Sequence, residues 1–66
     1  MILKINGKDE TIERVKNIAE LIASKGLAPE RIVVEHNLKI VPRDAWETSF
    51  LNESDTIEVV SFVGGG

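Results

Sequence analysis

The residues best suited to chemistry are the last three, Gly64-Gly65-Gly66, which follow directly on a β-patterned run with nothing bulky or charged after them. Extended, three glycines reach about 10 Å and carry no Cβ to meet the walls of a channel. Such a tail can enter a narrow active site belonging to another protein. Its carboxylate is inert as it stands, but adenylation by ATP would turn Gly66 into an electrophilic acyl group open to a sulfur or amine nucleophile. The catalyst would then lie elsewhere. The same three glycines also suit a frayed chain end.

Little else in the chain offers chemistry. With no cysteine there is no thiol nucleophile, thiolate metal site or disulfide, and no spacing of His, Asp and Glu resembles a metal-ligand set. His36 is the single histidine; strand alternation from Ile32 and Val34 turns it toward the interior near a strand end, which reads as a structural histidine rather than an acid or base. Trp46 reads as core cover, and Arg43 as an ion-pair partner or a contact for an acidic surface. Glu30 with Arg31, and Glu10 with Glu13, read as solvated faces. Side-chain catalysis is poorly supported, and the expectation is a protein that is not an enzyme.

The elements that must position the tail are legible in outline. Sixty-six residues, 42% of them apolar, suffice for one small domain held by packing alone. Eight Lys and Arg against eleven Asp and Glu give a net charge of −3, which argues against a nucleic-acid partner. No apolar run approaches the ~20 residues of a membrane span, and the first six residues alternate where a signal peptide would be continuously apolar. The expectation is a soluble cytoplasmic protein without a membrane partner.

Met1, Leu3 and Ile5 alternate with Ile2, Lys4 and Asn6, the period-2 pattern of a half-buried strand. Asn6-Gly7 is a hairpin signal that returns the chain through Lys8 to about Arg14. Ile12, Val15, Ile18, Ala19, Leu21 and Ile22 are spaced acceptably for one long helix as well, so the end of the second strand stays open. A helix over 18–25 is preferred: Asn17 can cap it, Glu20 can reach back, and Gly26 and Pro29 stop it. Residues 32–36 and 40–41 form a second hairpin through Asn37-Leu38-Lys39, ended by Pro42. Residues 43–50 read as an irregular or single-turn crossover in which Trp46 and Phe50, four apart, cover the core together with Leu51. Thr56 to Val63 is the clearest strand. The order is ββαββ, a crossover, then β: an α+β domain with one helix across a mixed sheet.

The chain resembles, from end to end, the ThiS family of sulfur carriers, which are ubiquitin-like β-grasp proteins. The residues carrying the resemblance are Asn6-Gly7, Asn17 to Ile22, Asn37, Ile40-Val41-Pro42-Arg43-Asp44-Ala45-Trp46, Asp55 to Val60 and Phe62 to Gly66. It implies a five-stranded ββαβββ domain over 1–63 with a flexible tail over 64–66, and a strand over Thr11 to Val15. In that family the terminal glycine is adenylated by a ThiF-type enzyme using ATP, loaded from a sulfur donor as a thiocarboxylate, and used by thiazole synthase, ThiG. The resemblance therefore implies Gly66 as the modified residue, Gly65 as its partner glycine, Gly64 as spacer, and no cofactor bound by the chain itself. Leu38 and Ser54 depart from the family, which usually has glycine there, so their turns are expected to be of another type or mildly strained.

A docking surface follows from the last strand. With Ile57 and Val59 toward the helix, Val60 and Phe62 emerge on the open face beside the tail, where Ile2 is expected to join them; ordinary surface exposure or a homodimer contact are the alternatives. The free protein is expected to be a monomer. Other readings are the longer molybdopterin-synthase small subunit, MoaD, a ubiquitin-like modifier of lysines, or a β-grasp interaction domain with an inert tail.

Overall fold

The computed structural model describes residues 1–62. Val63 to Gly66 lie outside the described residues, and with them the last expected residue of the final strand and the whole glycine tail. Five strands and one α-helix follow in the order β1 (Ile2–Ile5), β2 (Lys8–Thr11), α1 (Ile18–Ser24), β3 (Ile32–His36), β4 (Lys39–Val41) and β5 (Thr56–Ser61). Short 3-10 turns at Pro29–Arg31 and Arg43–Thr48 complete the connections.

The sheet has strand order β2-β1-β5-β3-β4. β1 and β5, distant in sequence, run parallel at its centre, and both outer pairs are antiparallel hairpins. This is the mixed sheet of the β-grasp fold. Alternation decides its two faces: Leu3, Ile5, Ile32, Val34 and Ile57 are buried beneath α1, which contributes Ile18, Leu21 and Ile22. Trp46 and Leu51 close the core from the crossover. Among the described residues no element covers the opposite face.

Local signals place the helix. Asn17 is in extended backbone and its side-chain oxygen accepts from the Glu20 amide at 2.8 Å, while the Glu20 carboxylate accepts from the Lys16 amide at 2.9 Å. The reciprocal cap therefore reaches one residue further back than a standard capping box. At the other end Gly26 has φ +68°, with its amide bonded to Ala23 and that of Leu27 to Ile22, a Schellman motif that needs the left-handed residue.

Two expectations require correction. β2 stops at Thr11 instead of continuing to Arg14 or Val15: the Ile12 amide makes one more bond, to the Met1 carbonyl, and then Arg14 turns the chain at φ +64° so that it can enter the Asn17 cap. Ile12 and Val15 pack against the core from this bend, which satisfies their apolar character without strand or helix. Phe50 does not cover the core. It is 58% exposed, whereas Trp46 is 5% exposed. The helical turn has ended at Thr48, and residues 49–51 run extended beside 16–18, with Ser49 accepting from Ile18 and Leu51 donating to Lys16. Alternation along this extended stretch turns Leu51 inward and Phe50 outward.

The two substituted turn positions keep the backbone that glycine would favour. Asn37 and Leu38 have φ +51° and +73° in a two-residue loop between the paired residues His36 and Lys39, and Ser54 has φ +72°. The Asn6-Gly7 loop has the same signs, so both hairpins turn in the type I′ manner. Leu38 and Ser54 are mildly strained, as expected of non-glycine residues at positive φ.

Candidate functional site

The expected reactive residues Gly64, Gly65 and Gly66 lie outside the described residues, and β5 precedes them in the chain. β5 forms the approach. Ile57 is buried and Val59 packs against the core, so the alternate residues Val60 and Phe62 stand on the open face, 56% and 48% exposed. Although β5 ends at Ser61, the Phe62 amide still donates to the Arg31 carbonyl at 2.9 Å. The chain is therefore held against β3 up to the last described residue.

Ile2 does not share this end of the sheet. The parallel register sets Lys4 beside Thr56, and the Ser54 amide donates to the Ile2 carbonyl. Ile2 is thus exposed on the same face but eight positions back along β5, roughly 25 Å from Phe62 at about 3.3 Å per residue. The residue adjoining Val60 is instead Val33, its cross-strand partner on β3, and Ile40 lies one strand further out, opposite Glu35. All three are exposed apolar residues. The outward position of Val33 was readable from inward Ile32 and Val34; its pairing with Val60 was not.

The other end of β5 is built differently. Asp55 is buried, and its carboxylate accepts from His36 Nε2 at 2.7 Å, Asn37 Nδ2 at 3.1 Å and the Asn52 amide at 2.8 Å. Burial pushes this carboxyl up, but the bonds from His36, Asn37 and Asn52 together with the charge of His36 outweigh it and hold Asp55 below the usual carboxylate range. His36 is a structural histidine, roughly 17 Å from Phe62 along the strand. Both hairpin asparagines also bind β5: Asn37 Oδ1 accepts from the Thr56 amide at 2.9 Å and Asn6 Oδ1 from the Val59 amide at 2.7 Å. Neither contact is legible in the sequence, since a side chain reaching a strand 19 or 53 residues away leaves no local signal.

Among the described residues no group of three His, Asp or Glu side chains converges as a metal site, and no helix is long and apolar enough to cross a membrane. Among the described residues the geometry offers a paired strand whose C-terminal end is apolar and exposed on the open face.

Comparison with known proteins agrees in extent as well as in fold. A solved structure described as the thiamine biosynthesis protein ThiS of Geobacter metallireducens superposes with a TM-score of 0.85 at 32% identity, covering all of both chains. The sulfur carrier protein ThiS of Bacillus subtilis is 36% identical, over 98% of this chain and the whole of that one. A thiazole synthase of Paramagnetospirillum magneticum is 33% identical over all of this chain, which spans only 20% of that protein's length. The ThiS family matches residues 3–66, glycine run included, and the chain belongs to that family.

Proposed function

We propose that this protein is a sulfur carrier of thiamin biosynthesis that works through the carboxyl group of Gly66. The observation that carries the reading is the match to the ThiS family through residue 66, supported by a β5 that is anchored at one end and apolar and exposed at the other. In this reading a ThiF-type enzyme joins the Gly66 carboxylate to the α-phosphate of ATP and releases pyrophosphate. A sulfur nucleophile then attacks the acyl carbon and AMP leaves; sulfide gives the thiocarboxylate on Gly66 directly, whereas a donor persulfide gives an acyl disulfide that a thiol reductant cleaves, leaving the thiocarboxylate on Gly66 and a disulfide between thiol and donor. Gly64 and Gly65 supply reach without side chains. Val60 and Phe62 guide the enzyme to the tail.

Thiazole synthase is the proposed acceptor. The Paramagnetospirillum thiazole synthase supports this, because a segment similar to this whole chain is part of the same polypeptide there. The protein acts as a co-substrate and not as a catalyst, binds no cofactor of its own, and is a monomer when free in the cytoplasm.

The direct test is the intact mass of the protein after incubation with ATP, the adenylating enzyme and a sulfur source, with the change localised to the C-terminal peptide. Replacement of one oxygen by one sulfur at Gly66 is the expected result. Lysine-linked adducts, or no change with an enzyme shown to be competent, would overturn the proposal. Amidation of the Gly66 carboxyl should abolish loading and leave the melting temperature unchanged.

A further inference from the structure

The last strand is held on both sides for only part of its length. β1 pairs with β5 through Lys4 with Thr56 and Ile5 with Ile57 and then turns away at the Asn6-Gly7 loop, whereas β3 stays paired with it as far as Ser61. Alternation along the ladder directs the amides and carbonyls of Glu58, Val60 and Phe62 toward β3, and those of Ile57, Val59 and Ser61 toward the side where β1 has ended. Two bonds mark these directions: the Phe62 amide reaches the Arg31 carbonyl and the Asn6 amide the Ile57 carbonyl, both at 2.9 Å. Among the described residues, Val59 is therefore the first in β5 whose amide on that side meets no strand.

The Asn6 side chain takes the place of the missing strand. Its Oδ1 accepts from the Val59 amide at 2.7 Å, while its own amide donates to Ile57. In a regular parallel ladder a residue that donates to one partner accepts, through its main-chain carbonyl, from the residue two further along. At Asn6, already turning at φ +50°, a side-chain oxygen fills that role. The loop itself does not require the bond, because glycine or aspartate also serves a type I′ turn. The bond carries the two-sided hold from Ile57 to Val59, immediately before the exposed Val60 and Phe62. A strand paired along one edge only can twist further than one held along both.

We propose that Asn6 is a positioning residue for the loading of Gly66: by holding Val59 it fixes the direction in which β5 leaves the sheet, and with it the line on which the chain enters the adenylating enzyme once Val60 and Phe62 have docked. Glycines have no side chains by which an enzyme could steer them, so their direction is set by the strand that precedes them. An error of about 1 Å in presenting a reacting group costs about a hundredfold in rate. This inference rests on the reading that Gly66 is adenylated by a ThiF-type enzyme.

The experiment follows thiocarboxylate formation on the full chain with the purified ThiF-type enzyme, ATP and sulfide, alongside calorimetric binding without ATP and hydrogen exchange of the Val59 amide. The wild type, Asn6→Gly, Asn6→Asp and Asn37→Gly are compared at a temperature where all remain folded. Each substitution suits a type I′ loop. Asn6→Asp keeps an acceptor for Val59 and Asn6→Gly does not, while Asn37→Gly removes the matching side chain at the anchored end, where Asn37 holds Thr56 and Asp55. Asn6→Gly should bind within about twofold of the wild type, lose about tenfold in the kcat of loading and exchange its Val59 amide faster. Asn6→Asp should restore both the rate and the protection. Asn37→Gly should melt at least as low as Asn6→Gly and yet load like the wild type, which a merely stabilising role for Asn6 does not predict. Loading of Asn6→Gly within about twofold of the wild type, an equal loss in Asn37→Gly, or a loss that Asn6→Asp does not repair would overturn the inference and leave the functional reading standing. A wild type that an enzyme shown to be competent does not load would overturn both.

Discussion

The two ends of β5 solve opposite problems with one strand. At its start Asp55 is withdrawn from water and receives three hydrogen bonds, from the consecutive His36 and Asn37 and from Asn52, so the strand is pinned where the end of β3 and its hairpin loop meet the preceding turn. Five and seven residues later Val60 and Phe62 are about half exposed on the open face. A single strand can thus join an anchored end to an apolar, exposed one. Buried polar contacts supply order at one end, and the other leaves apolar area in solvent.

The comparison breaks first at Asp55. Asp55→Ala should destabilise the fold by about 3 kcal/mol, since it leaves His36, Asn37 and the Asn52 amide short of an acceptor, and urea unfolding would show this as a lower midpoint. Binding to the adenylating enzyme at a temperature where the variant remains folded should be unchanged; if it fell in parallel, the two ends would not be independent. The same carboxyl sets an acid limit. Its folded pKa lies below its ordinary value, so its contribution is complete above the unfolded carboxylate range near pH ~4 and is lost as pH falls through the folded pKa. Melting temperatures recorded across this range should fall less steeply for Asp55→Asn than for the wild type.

At the other end the order of effects reverses. Phe62→Asp should weaken binding to the adenylating enzyme by about tenfold to a hundredfold while shifting stability by no more than about 0.5 kcal/mol. Ile2→Asp, on the same face but at the anchored end, should leave that binding within about twofold, and calorimetric titration of the two variants side by side would separate the proposed surface from the face in general. The smallest effect belongs to the strained loop. Leu38 is 85% exposed at φ +73°, so Leu38→Gly relieves a left-handed leucine without opening a cavity and should stabilise the protein by about 1 kcal/mol, raising the melting temperature by about 5 °C.

What the sequence could determine alone is what travels through a few residues. The faces of β1, β3 and β5 followed from alternation, the start of α1 from Asn17 and Glu20, its end from Gly26, and the two tight loops from Asn6-Gly7 and Asn37. The resemblance to ThiS supplied the β-grasp topology. Phe50 shows where local reasoning failed: spacing by four predicts a shared face only if the helix persists, and here it gives way to an extended stretch held by Lys16 and Ile18. The end of β2 failed similarly, because the bend at Arg14 serves the helix cap that follows it. Register was decided by the tertiary structure, because it depends on pairing between strands dozens of residues apart, which no local pattern encodes. That pairing separated Ile2 from Phe62, set Val33 beside Val60, and drew Asn6 and Asn37 onto β5.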